Sequence, residues 1–412
     1  MNTSTLGIRG GDPVRKAPFI TWPPISESTV RAVADAVREG IWSDVAGPRK
    51  LEFERQFAAF QGTDFALAVS NGTVSLQIAM AALDIQSGDE VIVPAYTFLA
   101  TATSVLAVNA MPVFVDVLPG TATIDPDAVE AAITSRTKAI IPVHFAGQPA
   151  DMDALIAISA RTGIPIIEDA AQAHGAQWRG QGVGSFGTFG SFSFQASKNM
   201  TSGEGGALTT NDAVLADRAW SLHHCGRVRG EKWYNHELNG GNHRLSELQC
   251  ALLLDQLTRV EDYMSRRTRG AATLDSALDG IAGLTPLTVD SRVSRHAYHV
   301  YCFRYDASAF SGIDRGLFLE AMQSEGIPAS GGYIAPLNRQ PVFANHVFDV
   351  AALRNNPSDP RFAYGDIRLP VSEELCSTMV FVPQNVLLGT DEDVLTVAEA
   401  ASKIQRLAGA LR

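Results

Sequence analysis

Ser191-Phe192-Ser193-Phe194-Gln195-Ala196-Ser197-Lys198-Asn199-Met200-Thr201-Ser202-Gly203-Glu204-Gly205-Gly206 joins a short alternating strand to a polar turn and a glycine-rich bend. The turn carries one lysine. A lysine in a buried turn needs a role for its amine, and one such role is a Schiff base with a carbonyl, for which the amine is held neutral. Ser193, five residues earlier, has the hydroxyl to hold a phosphate, and the glycines let backbone pass close to a bulky cofactor. Together these features point to pyridoxal phosphate. A surface lysine snorkelling from a glycine-rich loop is the other reading of the same residues.

Outward from this stretch the chain alternates strands and helices. Apolar runs at 65–69, 91–93, 112–117, 139–143, 164–169, 192–194 and 207–210 read as about seven strands. Helical patterns over 73–83, 97–108 and 152–162 separate them. Continuous apolar strands alternating with helices predict an α/β fold, a mostly parallel seven-stranded sheet covered on both faces. Ligands bind such sheets beyond the carboxyl ends of the strands.

Residues 1–25, rich in Gly and Pro, read as an arm. Ser26 then caps a helix bearing Val30, Val33 and Val37. A loop over 40–48 carries Trp42, and a second helix bears Leu51, Phe53, Phe57 and Phe60. Beyond Gly240 the rhythm breaks. One long helix over 245–269, straight or bent, is expected, followed by a strand at 298–305 and helices over 315–325 and 391–411. The expected division is an arm (1–25), a large cofactor-binding domain (26–269) and a smaller α+β domain (270–412) with the arm packed on it.

The 412 residues are 46% hydrophobic and 19% charged, enough for a sizeable core without disulfides or metals. A net charge of -11 argues against nucleic acid or an anionic membrane surface as the main partner. Cys225, Cys250, Cys302 and Cys376 form no paired motif, which disfavours a zinc site and fits a reducing cytoplasm. The first residues have no apolar signal core, and no stretch has the length of a membrane span.

Three strand ends carry the chemistry. Ser70-Asn71-Gly72-Thr73 opens a helix, where free N–H groups and the dipole make an anion site; a plain cap by Asn71 or Thr73 is the alternative. Asp169, just past an apolar strand, needs a cation, and a protonated pyridine nitrogen is one. Gln172 is placed to donate to the ring hydroxyl, while a metal ligand or a helix cap is the alternative for Asp169. No partner spacing supports a metal there, and His144 and His174 read as structural, or at most as facing the substrate. In Pro94-Ala95-Tyr96-Thr97-Phe98 an aromatic is placed to lie flat on a heterocycle, although a core role is the commoner fate of phenylalanine. The order is more specific than any member: phosphate loop, aromatic, aspartate, and a lysine 29 residues later.

From about Trp22 to the closing helix, the chain resembles the DegT/DnrJ/EryC1/StrS sugar aminotransferases, pyridoxal-phosphate enzymes of fold type I. The resemblance rests on Ser70–Thr73, Pro94–Phe98, Glu168–Gln172, Lys198–Gly206 and Gly241–Glu247. It implies that Lys198 bonds covalently to pyridoxal 5'-phosphate and that Asp169 contacts the ring nitrogen. It further implies that Phe98 stacks on the ring, that Gln172 lies near its oxygen substituent, and that Gly72, Thr73 and Ser193 hold the phosphate. Asn242 falls where a neighbouring subunit reaches into the site, implying a homodimer with shared sites. The implied reaction moves an amino group from glutamine or glutamate to a keto-sugar or keto-cyclitol. Asn71, Gln195 and Phe381-Val382-Pro383-Gln384 depart from nucleotide-sugar members, and 245–257 with the Tyr333 region lie closer to cyclitol enzymes. An aromatising or dehydrating relative, such as 3-amino-5-hydroxybenzoate synthase, and a non-catalytic regulator are the competing readings. The dehydratase branch usually has histidine where Lys198 stands.

Overall fold

The computed structural model describes residues 5–43, 47–356 and 359–411. Residues 44–46 of the expected Trp42 loop, and the first four of the arm, lie outside that set.

Seven strands build the central sheet: β1 (Phe65–Val69), β2 (Glu90–Pro94), β3 (Met111–Val115), β4 (Thr137–Ile140), β5 (Ile167–Asp169), β6 (Phe189–Ser193) and β7 (Gly206–Thr210). They pair in the orders β1-β7-β6-β5 and β3-β2-β4. Parallel bridges Ile140–Ile166 and Val143–Asp169 join the two halves into one run, β1-β7-β6-β5-β4-β2-β3. Only β7 is antiparallel to its neighbours among these strands. The mostly parallel expectation holds because nearly every strand position is covered: Val91 and Val93 enter one apolar core and Ile92 the other.

Four early helices are positioned by ordinary local rules. Ser26 caps α1 (Glu27–Glu39) with a reciprocal Ser26–Thr29 box. Pro48 opens α2 (Pro48–Gln61), whose Phe53 and Phe57 pack on Phe192 and Phe194. Asn71 caps α3 (Gly72–Ala82), and α4 (Ala100–Ala107) follows β2.

The helix expected over 245–269 is two, Glu247–Leu257 and Val260–Leu278. Thr258 Oγ1 donates to the Asp255 carbonyl at 2.7 Å, while Arg259 leaves the helical path at ψ -4° and reaches Ser26 and Thr29. The second helix runs through the expected boundary at 270. Its Met264 lies in the Phe192 core, and its Ala271 and Leu274 lie in a C-terminal core with Phe303, Phe318 and Val397.

That C-terminal core backs a three-stranded antiparallel sheet of β8 (Leu284–Pro286), β9 (Val300–Tyr305) and β10 (Met379–Pro383). Arm residues Leu6, Ile8, Val14 and Phe19 join the same core. Residues 337–356 and 359–369, read from sequence as part of the C-terminal unit, pack on the β3 edge. There Phe343 and Tyr364 meet Phe114 edge-on, and the Tyr364 hydroxyl donates to the Pro112 carbonyl. Such cover shields an otherwise open sheet edge.

Candidate active site

Gly206 pairs with both Val69 and Ser193, so β7 draws the ends of β1 and β6 to one place. A β-carbon on Gly206 would stand 2.5 Å from the Asn71 carbonyl carbon, and one on Gly72 would stand 2.8 Å from Ser193 Cβ. Backbone therefore passes backbone here only because both residues are glycine. Asn71 Oδ1 accepts the Val74 N–H at 2.9 Å and starts α3. At a helix start the first N–H groups have no intrahelical acceptor, and Gly72 and Thr73 supply them beside the Ser193 hydroxyl.

The turn after β6 holds Lys198. Its N–H donates to Gln195 O at 2.9 Å, and two distant side chains hold adjacent carbonyls from outside. The Trp22 indole donates to Lys198 O at 3.0 Å, and Gln384 Nε2 donates to Ser197 O at 2.8 Å. Burial pushes the Lys198 amine down to about 8, opposed by the charge of Asp169. A buried ammonium loses hydration, so the neutral, nucleophilic form gains.

Asp169 ends β5 and is buried. Its Oδ2 accepts from Thr101 Oγ1 at 2.8 Å and its Oδ1 from Ala171 N at 3.2 Å. Burial raises its pKa, against the Thr101 hydroxyl, the Ala171 N–H and the charge of Lys198. Residues 23–401 match the DegT/DnrJ/EryC1/StrS aminotransferase family. The chain belongs to that family.

This aminotransferase is 39% identical to L-glutamine:2-deoxy-scyllo-inosose aminotransferase of Streptomyces paromomycinus, over 98% of each chain. It is 40% identical, over 100% of each chain, to a Streptoalloteichus tenebrarius protein provisionally named L-glutamine:3-amino-2,3-dideoxy-scyllo-inosose aminotransferase. The crystal structure of 3-amino-5-hydroxybenzoic acid synthase superposes with a TM-score of 0.86 at 35% identity, covering 95% of this chain and 100% of the other. DesV of S. venezuelae superposes at 0.80 and 33% identity, covering 92% and 94%.

The remaining candidate residues fall into two groups. Gln172 Oε1 accepts the Ala146 N–H at 2.8 Å, and its Nε2 donates to the Tyr333 hydroxyl at 3.4 Å. That contact brings the Tyr333 region of the aminotransferase to the same site. Phe98, one turn before Thr101, leaves its ring 61% exposed. Asn242 is exposed, accepts from Arg244 Nε at 2.9 Å and bridges to His224, and its neighbours His243 and Arg244 pair with Ser70 and Val69 at the end of β1.

Two nearby histidines, His144 and His174, are buried in the protein interior. Ala150 N–H donates to His144 Nδ1, so His144 Nε2 carries the proton and meets buried Glu168 at 2.9 Å. Glu168 also accepts from the N–H groups of Gly184, Phe186 and Gly187. His174 packs between Phe192 and Phe194, and burial holds it neutral at about 3. Sequence reasoning missed Thr101, Trp22 and Gln384 as contacts of the site. Only the position of Thr101, on the helix turn that follows Phe98, offered a signal. Among the described residues, no helix is long and apolar enough to cross a membrane, and no His/Cys/Asp/Glu cluster could hold a metal ion.

Proposed function

We propose that this chain is a pyridoxal-phosphate-dependent aminotransferase that takes the amino group of L-glutamine and delivers it to a keto-cyclitol of the scyllo-inosose type. The observation that carries the reading is the pairing of a depressed lysine, Lys198, with a buried carboxylate, Asp169, beside the glycine-lined start of α3. The donor set fits the cofactor. Lys198 would bond its aldehyde carbon, Asp169 would meet the ring nitrogen, and Gly72, Thr73 and Ser193 would hold the phosphate. Phe98 would cover one ring face, and Gln172 would face the ring oxygen. The donor and acceptor follow the names of the relatives at 39–40% identity, both of which pair L-glutamine with a cyclitol ketone.

When bound, the cofactor supplies an electron sink for negative charge at the carbon losing its proton. Lys198 first anchors and orients. Once released, its neutral Nζ would take the proton from the donor's α-carbon and pass it to the bound cofactor, and in the second half-reaction would run the same transfer in reverse, leaving a proton on the acceptor carbon. Asp169, ionised, would favour a proton on the ring nitrogen. Tyr333, beside Gln172, adds a hydroxyl suited to a polyhydroxylated acceptor.

A homodimer with shared sites, in which Asn242 serves the partner's site, is supported by the family resemblance and by the exposure of Asn242. A reducing cytoplasm is supported by four free cysteines, three of them buried. The test is a mixing experiment. L-glutamine is expected to change the visible absorption of the cofactor-loaded protein, and a keto-cyclitol to restore it. Lys198→Ala and Asn242→Ala chains are each expected to be inactive or nearly so, and to regain activity when co-refolded. Turnover by Lys198→Ala alone would sink the aminotransferase assignment. Failure of the mixture to recover would sink the shared site.

A further inference from the structure

Thr97 and Thr101 stand four residues apart at the start of α4, 2% and 1% exposed, while Phe98 between them projects outward. Their hydroxyl oxygens are 3.2 Å apart, and Thr101 Oγ1 is 2.8 Å from Asp169 Oδ2. A helical threonine ordinarily turns its hydroxyl back to the carbonyl four residues earlier. Half-buried Thr103, two positions on, does so, donating to Leu99 O at 3.2 Å. Thr101 does not. Its hydroxyl is spent on Asp169, and no side-chain cap of α4 explains it.

The direction of the protons follows. An ionised carboxylate only accepts, so the single hydroxyl hydrogen of Thr101 goes to Asp169. The Thr101 oxygen then accepts from Thr97. The chain of donors runs one way, from Thr97 to Thr101 to the carboxylate.

We propose that Thr101, backed by Thr97, is a positioning residue that keeps Asp169 ionised and aimed, and so keeps a proton on the heterocyclic nitrogen that Asp169 would face. This rests on the cofactor reading given above. The groups facing Asp169 come from four segments: Thr101 on α4, Ala171 after β5, Lys198 after β6 and His144 after β4. Tyr333 faces it as a neutral hydroxyl. Burial works against the ionised form, and only Thr101 and Ala171 oppose it by direct hydrogen bonds. The help from Lys198 is a through-space charge that vanishes when the amine becomes neutral to react. At that moment the share carried by Thr101 is largest.

Thr101→Val keeps the volume and removes the donor; Thr101→Ser keeps the donor. Cofactor-free proteins are melted across a pH series. A further rise in the Asp169 pKa penalises the fold only where the unfolded carboxyl is ionised, above about 4. Thr101→Val is therefore expected to melt at a gap below wild type that is smallest in acid and widens as pH rises, with Thr101→Ser tracking wild type. In the loaded enzyme, the glutamine half-reaction of Thr101→Val should slow about ten- to a hundredfold with a displaced pH profile. Thr97→Val, which spares the Asp169 contact, should move both readouts the same way by less, and it decides the matter if Thr101→Val does not fold. A pH-independent gap, or a serine variant as impaired as valine, would overturn the proposal. If wild type takes up no cofactor, the functional reading falls while the pH series still decides the role of Thr101.

Discussion

Lys198 can act as a nucleophile near neutral pH because burial strips water from its ammonium, and Asp169 limits how far that goes. The two groups set each other. Since only the neutral amine attacks a carbonyl, the rate of pyridoxal-phosphate capture by the cofactor-free protein should rise with pH and level off past about 8. An ordinary lysine would carry the rise to about 10.4. Asp169→Asn removes the charge that favours the ammonium, so its inflection should move below 8. Stopped-flow absorbance reads both, and an inflection near 10 in wild type would refute the account. The sequence singled out Asp169 as a charge just past an apolar strand, where a bare charge is costly, and Lys198 as the one lysine of a turn before a glycine-rich bend. Thr101 was not legible there. Its partner lies 68 residues away, and only the packing of α4 against the end of β5 shows which carboxylate its hydroxyl meets.

At the scale of elements, the site depends on how closely β1, β6 and β7 converge at the start of α3. Gly72 and Gly206 set that distance. Gly72→Ala places a methyl 2.8 Å from Ser193 Cβ, well inside contact, so the start of α3 must move away from β6. The far-UV circular dichroism should be unchanged, while affinity for pyridoxal phosphate falls at least about tenfold, as expected when helix-terminal N–H donors to an anion are displaced. Equal affinity would show that the phosphate is held elsewhere. The glycines and the strand–helix rhythm could be read from sequence because both leave local patterns. The place of the break at Thr258–Arg259 and the return of 337–356 and 359–369 to the β3 edge could not. The first depends on Arg259 finding Ser26 and Thr29, and the second on Phe114 meeting Phe343 and Tyr364, all contacts remote in sequence.

Across the whole molecule, the arm ties the C-terminal core to the lysine turn, and its own anchor is a buried carboxylate. Glu325 is fully buried; Oε1 accepts the Gly7 N–H at 2.8 Å and Oε2 the Val14 N–H at 2.9 Å. Lys403, buried beside it, pairs with Oε2 at 2.9 Å and donates to Asp12 O at 2.7 Å. Ten residues further along the arm from Asp12, the Trp22 indole holds the Lys198 carbonyl. Glu325→Gln removes the charge but leaves the Lys403 ammonium buried, an uncompensated cation that costs about 3–5 kcal/mol. The variant should melt at lower temperature, expose the arm to proteolysis and lose activity. Pairing Glu325→Gln with Lys403→Met removes the stranded cation, so most of the melting loss should return while the arm, still short of its carboxylate anchor, stays protease-sensitive. If the single variant melts as wild type does, Glu325 is not the anchor. If the double variant also regains protease resistance, the apolar contacts of Leu6, Val14 and Phe19 hold the arm without it.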